Sequence, residues 1–153
     1  MGDLIKPVKY SLFAVIRNPE NSLQIMAVKR PDDDKDLPGV WGLPTISYQL
    51  YEKVEDVVRR LGRTKLGVEL RVKEILGKGN LDRGNFILHG EEFEAEIVSG
   101  IIRVPQKPDG RTQYSDWKYA DWTKFLDAAS KGSLCSNLYL MYLGQRPLQK
   151  IFQ

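Results

Sequence analysis

The stretch VWGLPTISYQLYEKVEDVVRRLGRTKLGV, residues 40–68, decides how this chain is read. Its second part predicts a helix over Tyr51–Leu66, because Val54, Val57, Val58 and Leu61 recur at i, i+3, i+4 and i+7 and form one apolar stripe. Glu52, Glu55 and Asp56 stand near the start of that helix, while Arg59, Arg60, Arg63 and Lys65 stand toward its end. This order suits the helix macrodipole. Glu55–Arg59 and Asp56–Arg60 form i, i+4 pairs in the favourable direction, each worth a few tenths of a kcal/mol. Gly62 is a local weakness, costing up to about 1 kcal/mol relative to alanine. Gly67 is placed to end the helix.

Working outward, Lys9–Arg17 is rich in β-branched and aromatic residues and stops at the turn cluster Asn18-Pro19-Glu20-Asn21-Ser22. Leu23–Arg30 follows, so the two strands read as a hairpin. A polar loop, Pro31–Gly39, leads into Val40-Trp41-Gly42-Leu43-Pro44 and a short strand near Ile46–Leu50. Beyond the helix, strand-like stretches recur at Glu69–Leu76, Asn85–His89, Glu92–Val98, Ile101–Val104 and Tyr114–Tyr119, with a turn at Pro105–Arg111. From Ala120 the period becomes helical: Trp122, Phe125, Leu126 and Ala129 make a stripe that stops at Gly132, and Leu138–Leu143 marks a last helix. Strands, helix, strands, helix is the order of a layered α/β domain, with no internal repeat or linker.

The flanks and the stretch itself resemble a known pattern. Trp41-Gly42-Leu43-Pro44, followed by Glu52, Arg60, Gly67 and Val68, resembles the Nudix box of hydrolases that act on nucleoside diphosphates linked to another group. The family pattern runs Gly, five residues, Glu, seven residues, Arg-Glu-apolar-any-Glu-Glu-any-Gly-apolar. Ala27-Val28-Lys29-Arg30 and Tyr119-Ala120-Asp121-Trp122 resemble the family's strands before and after the box. The resemblance implies one Nudix-like domain over residues 1–153: an α/β/α sandwich with a mixed β-sheet and the box helix beneath a substrate pocket. In the family Glu52 and Arg60 chiefly brace the motif.

The departures concern chemistry. Thr45 and Ile46 replace two glycines, Leu61 replaces the glutamate after the arginine, and Thr64-Lys65 replaces the glutamate pair. In a regular helix positions 61, 64 and 65 share one face. The resemblance implies carboxylates there that converge on Mg²⁺ bridging the substrate's diphosphate. Leucine offers no oxygen, threonine only a neutral hydroxyl, and Lys65 a positive charge. At about 4 Å and an effective dielectric near 20, that ammonium repels each charge of a cation by roughly 4 kcal/mol. No box metal site is therefore expected, and Mg²⁺ enters only if the chain is a divergent hydrolase with displaced acids. Glu52, Glu55 and Asp56 lie nine residues earlier, two and a half turns away, on the opposite face of the expected helix. Glu92 and Glu94 remain as candidate catalytic acids, together with the Asp32–Asp36 loop; alternation makes Glu92, Glu94 and Glu96 one solvated strand face, opposite Phe93, Ala95 and Ile97.

The basic replacement also has a use. Arg30, Arg63, Thr64 and Lys65 are candidate ligand-binding residues that meet phosphate directly, without a metal. The leading expectation is a binder of a nucleotide-like or other phosphorylated small molecule, with the ordinary metal-dependent hydrolysis lost. A divergent hydrolase is a second reading. An RNA- or protein-interaction module built on Arg59, Arg60, Arg63 and Lys65 is a third. A net charge of +3 names no partner by itself. A single cysteine, Cys135, and a single histidine, His89, exclude an internal disulfide and a Cys/His zinc site. Cys135 reads as a helix-start packing residue, His89 as a strand-end or turn residue, and Trp117, Tyr119 and Trp122 as core or pocket wall. No apolar run approaches the roughly 18–20 residues that cross a bilayer. The opening residues MGDLIKPVKY fit neither a signal peptide nor a myristoylation site, so a reduced, cytoplasmic location is expected.

Overall fold

A computed structural model describes residues 5–104 and 113–153. Seven strands form a mixed sheet: β1 (Val8–Asn18), β2 (Asn21–Lys29), β3 (Trp41–Gly42), β4 (Thr45–Tyr48), β5 (Glu69–Asp82), β6 (Ile87–Ser99) and β7 (Asp116–Ala120). The main path runs β3-β2-β1-β6-β5, with β4 alongside β1 and β7 alongside β2. β1 pairs parallel with β6 and antiparallel with β4, which makes the sheet mixed. Ser11 to Ile16 are buried without a break, because β1 is covered on both faces. Leu12, Ala14 and Ile16 turn to one core; Phe13 and Val15 turn to the other.

Helix α1 (Val54–Leu61) covers the first face through Val57, Val58 and Leu61, as its stripe predicts. α2 (Leu126–Ser130) and α3 (Leu134–Tyr142) lie on the chain's other side, where Phe125, Leu134, Leu138 and Tyr139 close the second core. The result is the α/β/α sandwich that the resemblance implies.

Several expected boundaries move, each for a physical reason. α1 begins at Val54 and not at Tyr51, because residues 49–52 close a turn of their own: the Glu52 N–H donates to the Gln49 carbonyl at 2.9 Å, and the Gln49 N–H donates to the Glu52 carboxylate at 2.8 Å. Residues 62–66 are a π-helical turn, and Gly67, at φ 72°, caps it in the left-handed region that favours glycine. Gly62 is more than a weak point. A Cβ there would sit 2.6 Å from the Val68 carbonyl and 2.8 Å from Leu70 Cγ, so glycine lets the helix end against β5.

The two strands expected at 85–89 and 92–98 are one, β6. Gly90 does not break it, because it pairs with Gly79 on β5 and leaves room for Phe13 and Leu134. β5 likewise continues to Asp82, six residues past its expected end at Leu76. Residues 101–104 are not a strand; the segment is tied to the π-turn by the Arg103 N–H on the Leu66 carbonyl at 2.8 Å. The helix expected from Ala120 splits into a 3-10 turn, Trp122–Phe125, and α2. α3 starts at Leu134, next to the expected helix-start residue Cys135, because Ser133 accepts a hydrogen bond from the Ser136 N–H and caps it. The turn expected over 105–111 lies outside the described residues, as does the start of the N-terminal segment. No helix among the described residues is long and apolar enough to cross a membrane.

Candidate functional site

The box positions come apart at the π-turn. A π-turn advances fewer degrees per residue than an α-helix, so residues 61, 64 and 65 do not share the face expected of them. Leu61 is fully buried in the core under α1. Thr64 is exposed and donates its hydroxyl to the Arg60 carbonyl at 2.7 Å. Lys65 turns toward Thr45, its Nζ donating to the Thr45 carbonyl at 2.6 Å and lying 5.5 Å from the centre of the Tyr114 ring.

Lys65 and Thr45 belong to the wall of a cavity of about 470 Å³. Its floor is Lys9, Ser11 and Phe13 of β1 with Thr45 and Ser47 of β4, and Arg30 enters from the end of β2. Arg30 Nη1 donates to Asp34 Oδ2 at 3.2 Å. The same oxygen accepts from the Leu37 N–H at 2.9 Å and the Asp36 N–H at 3.2 Å. Burial pushes the Asp34 carboxyl up, but the Leu37 N–H and the Arg30 charge outweigh it and hold the group below the usual carboxylate range. Asp34 therefore stays ionised and fixes the direction of the guanidinium. Tyr114 is buried, its hydroxyl accepting from the Thr45 N–H at 2.9 Å and facing the Thr45 carbonyl at 3.3 Å. Burial raises that phenol to about 12, so it remains a neutral donor.

The other expected site residues are distributed elsewhere. Arg63 is exposed and ion-paired with Glu69, away from the cavity. Arg60 makes a two-oxygen contact with Glu52 at 2.8 and 3.0 Å and also reaches the Ser47 carbonyl at 3.2 Å, which braces the β4–α1 junction. The pairs expected along α1 are replaced: Arg59 joins Asp56 at 3.1 Å, and Arg60 joins Glu52 in place of Asp56. Gly67 and Val68 close the π-turn, with the Val68 N–H on the Gly62 carbonyl at 3.1 Å.

Glu92, Glu94 and Glu96 do alternate with Phe93, Ala95 and Ile97, but their face is not uniformly solvated. Glu92 is fully buried, with neither carboxylate oxygen hydrogen-bonded among the described residues. Burial, and to a lesser degree Cys135, drives its carboxyl well above the ordinary range. Glu94 pairs with Arg17 at 3.4 Å and Lys73 at 3.6 Å, beside a different surface hollow. Neither lines the cavity that holds Lys65. Of the acids singled out in the sequence, Asp34 and Asp36 are the ones that do.

Sequence reasoning missed Lys9, Arg83, Phe86 and Tyr114, which also line the cavity. They come from three segments far apart in the chain, and no local pattern marks them. Trp117 and Tyr119 pack against the α1-side core, not the cavity. His89 lies within β6 and not at its end; its ring nitrogens meet Asn80 Oδ1 at 2.9 Å and Glu91 Oε2 at 3.3 Å. Cys135 is a buried free thiol in the first turn of α3, and it borders the cavity.

The donor set does not suit a divalent cation at the box. Leu61 and Thr64 supply no anionic oxygen, Lys65 supplies an ammonium, and no group of three His, Cys, Asp or Glu converges among the described residues.

No family model matches this chain, and no curated protein does. Solved structures match along most of its length. A MutT protein from Methanosarcina mazei Go1 superposes with a TM-score of 0.70 at 17% identity, over 93% of this chain and 97% of its own. A MutT NUDIX hydrolase from Burkholderia pseudomallei gives 0.61 at 24% identity, over 77% and 86%. An ADP-ribose pyrophosphatase from Streptococcus suis gives 0.54 at 14% identity, over 75% of each chain. With the mixed sheet, the two helical layers and the Glu52–Arg60 brace already in place, these superpositions establish that the chain has the fold of the MutT/Nudix hydrolases.

Proposed function

We propose that this chain is a single Nudix-like domain that binds a nucleotide-like phosphorylated small molecule in the Lys65 cavity, without ordinary Mg²⁺-dependent hydrolysis. The observation that carries the reading is the Lys65 ammonium, which reaches into the cavity wall to the Thr45 carbonyl, where the family resemblance places metal-binding carboxylates. Arg30, oriented by Asp34, supplies a planar donor fork on the same cavity. Lys9 and Arg83 add positive charge to its lining. A site with fixed cations and few acids attracts a phosphoryl group directly, and lysine serves it as a point charge. Phe13, Phe86 and Leu88 give the apolar surface that the remainder of such a ligand needs. One structural neighbour is named for a nucleotide-derived substrate, ADP-ribose, which agrees with this class of ligand.

Arg63 and Thr64 fall outside this proposal, because neither reaches the cavity. The hydrolase alternative draws on Asp34 and Asp36, since Glu92 is sealed and Glu94 is paired elsewhere. The interaction-module alternative loses its basic run to ion pairs, for Arg59, Arg60 and Arg63 each meet a carboxylate.

A thermal-shift screen of nucleotides and nucleotide sugars, run with Mg²⁺ and with EDTA, tests the reading. It predicts stabilisation by phosphorylated ligands of equal size in both conditions, and no release of phosphate. Mg²⁺-dependent turnover that disappears in Asp34→Asn would overturn it in favour of the hydrolase.

A further inference from the structure

Outside the cavity the molecule gathers a second group of cations. Lys118 Nζ lies 4.8 Å, and Lys124 Nζ 5.0 Å, from the centre of the Trp41 ring. Lys29 is the direct cross-strand partner of Trp41, so it stands beside the same indole. The three lysines come from β2, β7 and the 3-10 turn before α2, and the sheet register brings them together. None makes an ion pair with a carboxylate among the described residues. Two acids flank the group: Asp116, the cross-strand partner of Lys29, and Asp121, just before the 3-10 turn. Asp116 accepts from the Trp117 N–H at 2.8 Å, and Asp121 accepts from the Thr123 N–H at 3.0 Å.

Each ammonium is drawn to the indole face by the ring quadrupole. Two ammonium groups on one ring nevertheless repel one another, and the third adds to the repulsion. The chain shows that tension: contact with Lys118, burial, and the charges of Lys118 and Lys29 together hold Lys124 below the usual lysine range. An anion placed between the lysines converts this repulsion into attraction. Flexible ammonium groups with three donors each suit a compact, multiply charged anion better than they suit a planar carboxylate, which favours the guanidinium fork.

We propose that Lys29, Lys118 and Lys124 around Trp41 form a second anion site, which takes a phosphoryl group carrying two or more negative charges. It is separate from the Lys65 cavity. Val40 and Gly42, the neighbours of Trp41, line that cavity, while Trp41 and the three lysines do not.

Inorganic pyrophosphate is the probe, in EDTA, with the Trp41 indole N–H resonance followed by NMR and identified through Trp41→Phe. The expected result is a saturable shift of that resonance at millimolar pyrophosphate. Lys118→Gln/Lys124→Gln weakens it about tenfold or more, and Lys118→Arg/Lys124→Arg retains it. Thermal melting confirms that both double variants are folded. Arg30→Gln leaves the Trp41 response unchanged, so failure of the cavity reading and failure of this one are distinguishable. An unmoved Trp41 resonance overturns the proposal. So does an undiminished response in the double glutamine variant, or an equal response to chloride at matched ionic strength.

Discussion

Glu52 and Glu92 are the same residue in opposite surroundings. Glu52, at the head of the box helix, accepts from the Gln49 N–H and from Arg60 through both oxygens. Glu92, in the middle of β6, is fully buried and accepts from no donor among the described residues. The Gln49 N–H and Arg60 hold the Glu52 carboxyl below its usual range, while burial drives that of Glu92 well above. Ionised, Glu52 braces the β4–α1 junction; neutral, Glu92 is tolerated between β6 and α3. Acidic residue type thus says little about role until the donors are known.

The largest effect is expected at Glu92. Its folded-state pKa lies above the unfolded value near 4.5, so the folded chain holds a proton that the unfolded chain releases. Stability therefore falls as pH rises from that unfolded value toward the folded one, by about 1.4 kcal/mol per pH unit. Glu92→Gln removes this slope: chemical denaturation across pH is expected to find the variant about 1–3 kcal/mol more stable at neutral pH and equal to the parent in acid. A destabilised variant at neutral pH would mean that Glu92 has an ionic partner.

Gly62→Ala comes next. Helix propensity alone predicts a gain of up to about 1 kcal/mol. The added Cβ would meet the Val68 carbonyl at 2.6 Å, so denaturation is expected to show a loss of about 1–3 kcal/mol instead. A gain would mean that the π-turn and β5 are less closely packed than described.

Glu52→Gln should have a smaller effect with the opposite sign to Glu92→Gln. Because the folded pKa is depressed, the stabilisation is present above the unfolded value and is lost as pH falls through the folded one. Melting curves should place the variant below the parent at neutral pH, and the two should converge in acid. The two glutamine variants would then bracket the parent from either side at neutral pH. Parallel rather than opposite shifts would break the comparison.

Much of the fold is legible along the chain, because its signals are local. The Val54–Leu61 stripe, the Asn18–Ser22 turn cluster and the Gly67 stop each depend on neighbours within a few residues, and so does the box spacing of Glu52, Arg60 and Gly67. What escaped is non-local. The burial of Glu92 depends on α3 packing over a strand where Gly90 admits Phe13 and Leu134. The cavity draws Lys9, Arg83 and Tyr114 from segments far apart in sequence. A helical-wheel reading placed 61, 64 and 65 on one face, whereas the π-turn sends Leu61 to the core, Thr64 to solvent and Lys65 to the cavity. The charge reversal at Lys65 was visible in the sequence; the carbonyl that its ammonium meets was not.

Calorimetric titration of a nucleoside diphosphate into the parent chain and Lys65→Met, with EDTA and with Mg²⁺, tests the central claim most directly. Saturable binding to the parent is expected to be the same in both buffers, and to weaken about tenfold or more in Lys65→Met. Binding that requires Mg²⁺, or binding undiminished in Lys65→Met, would contradict it.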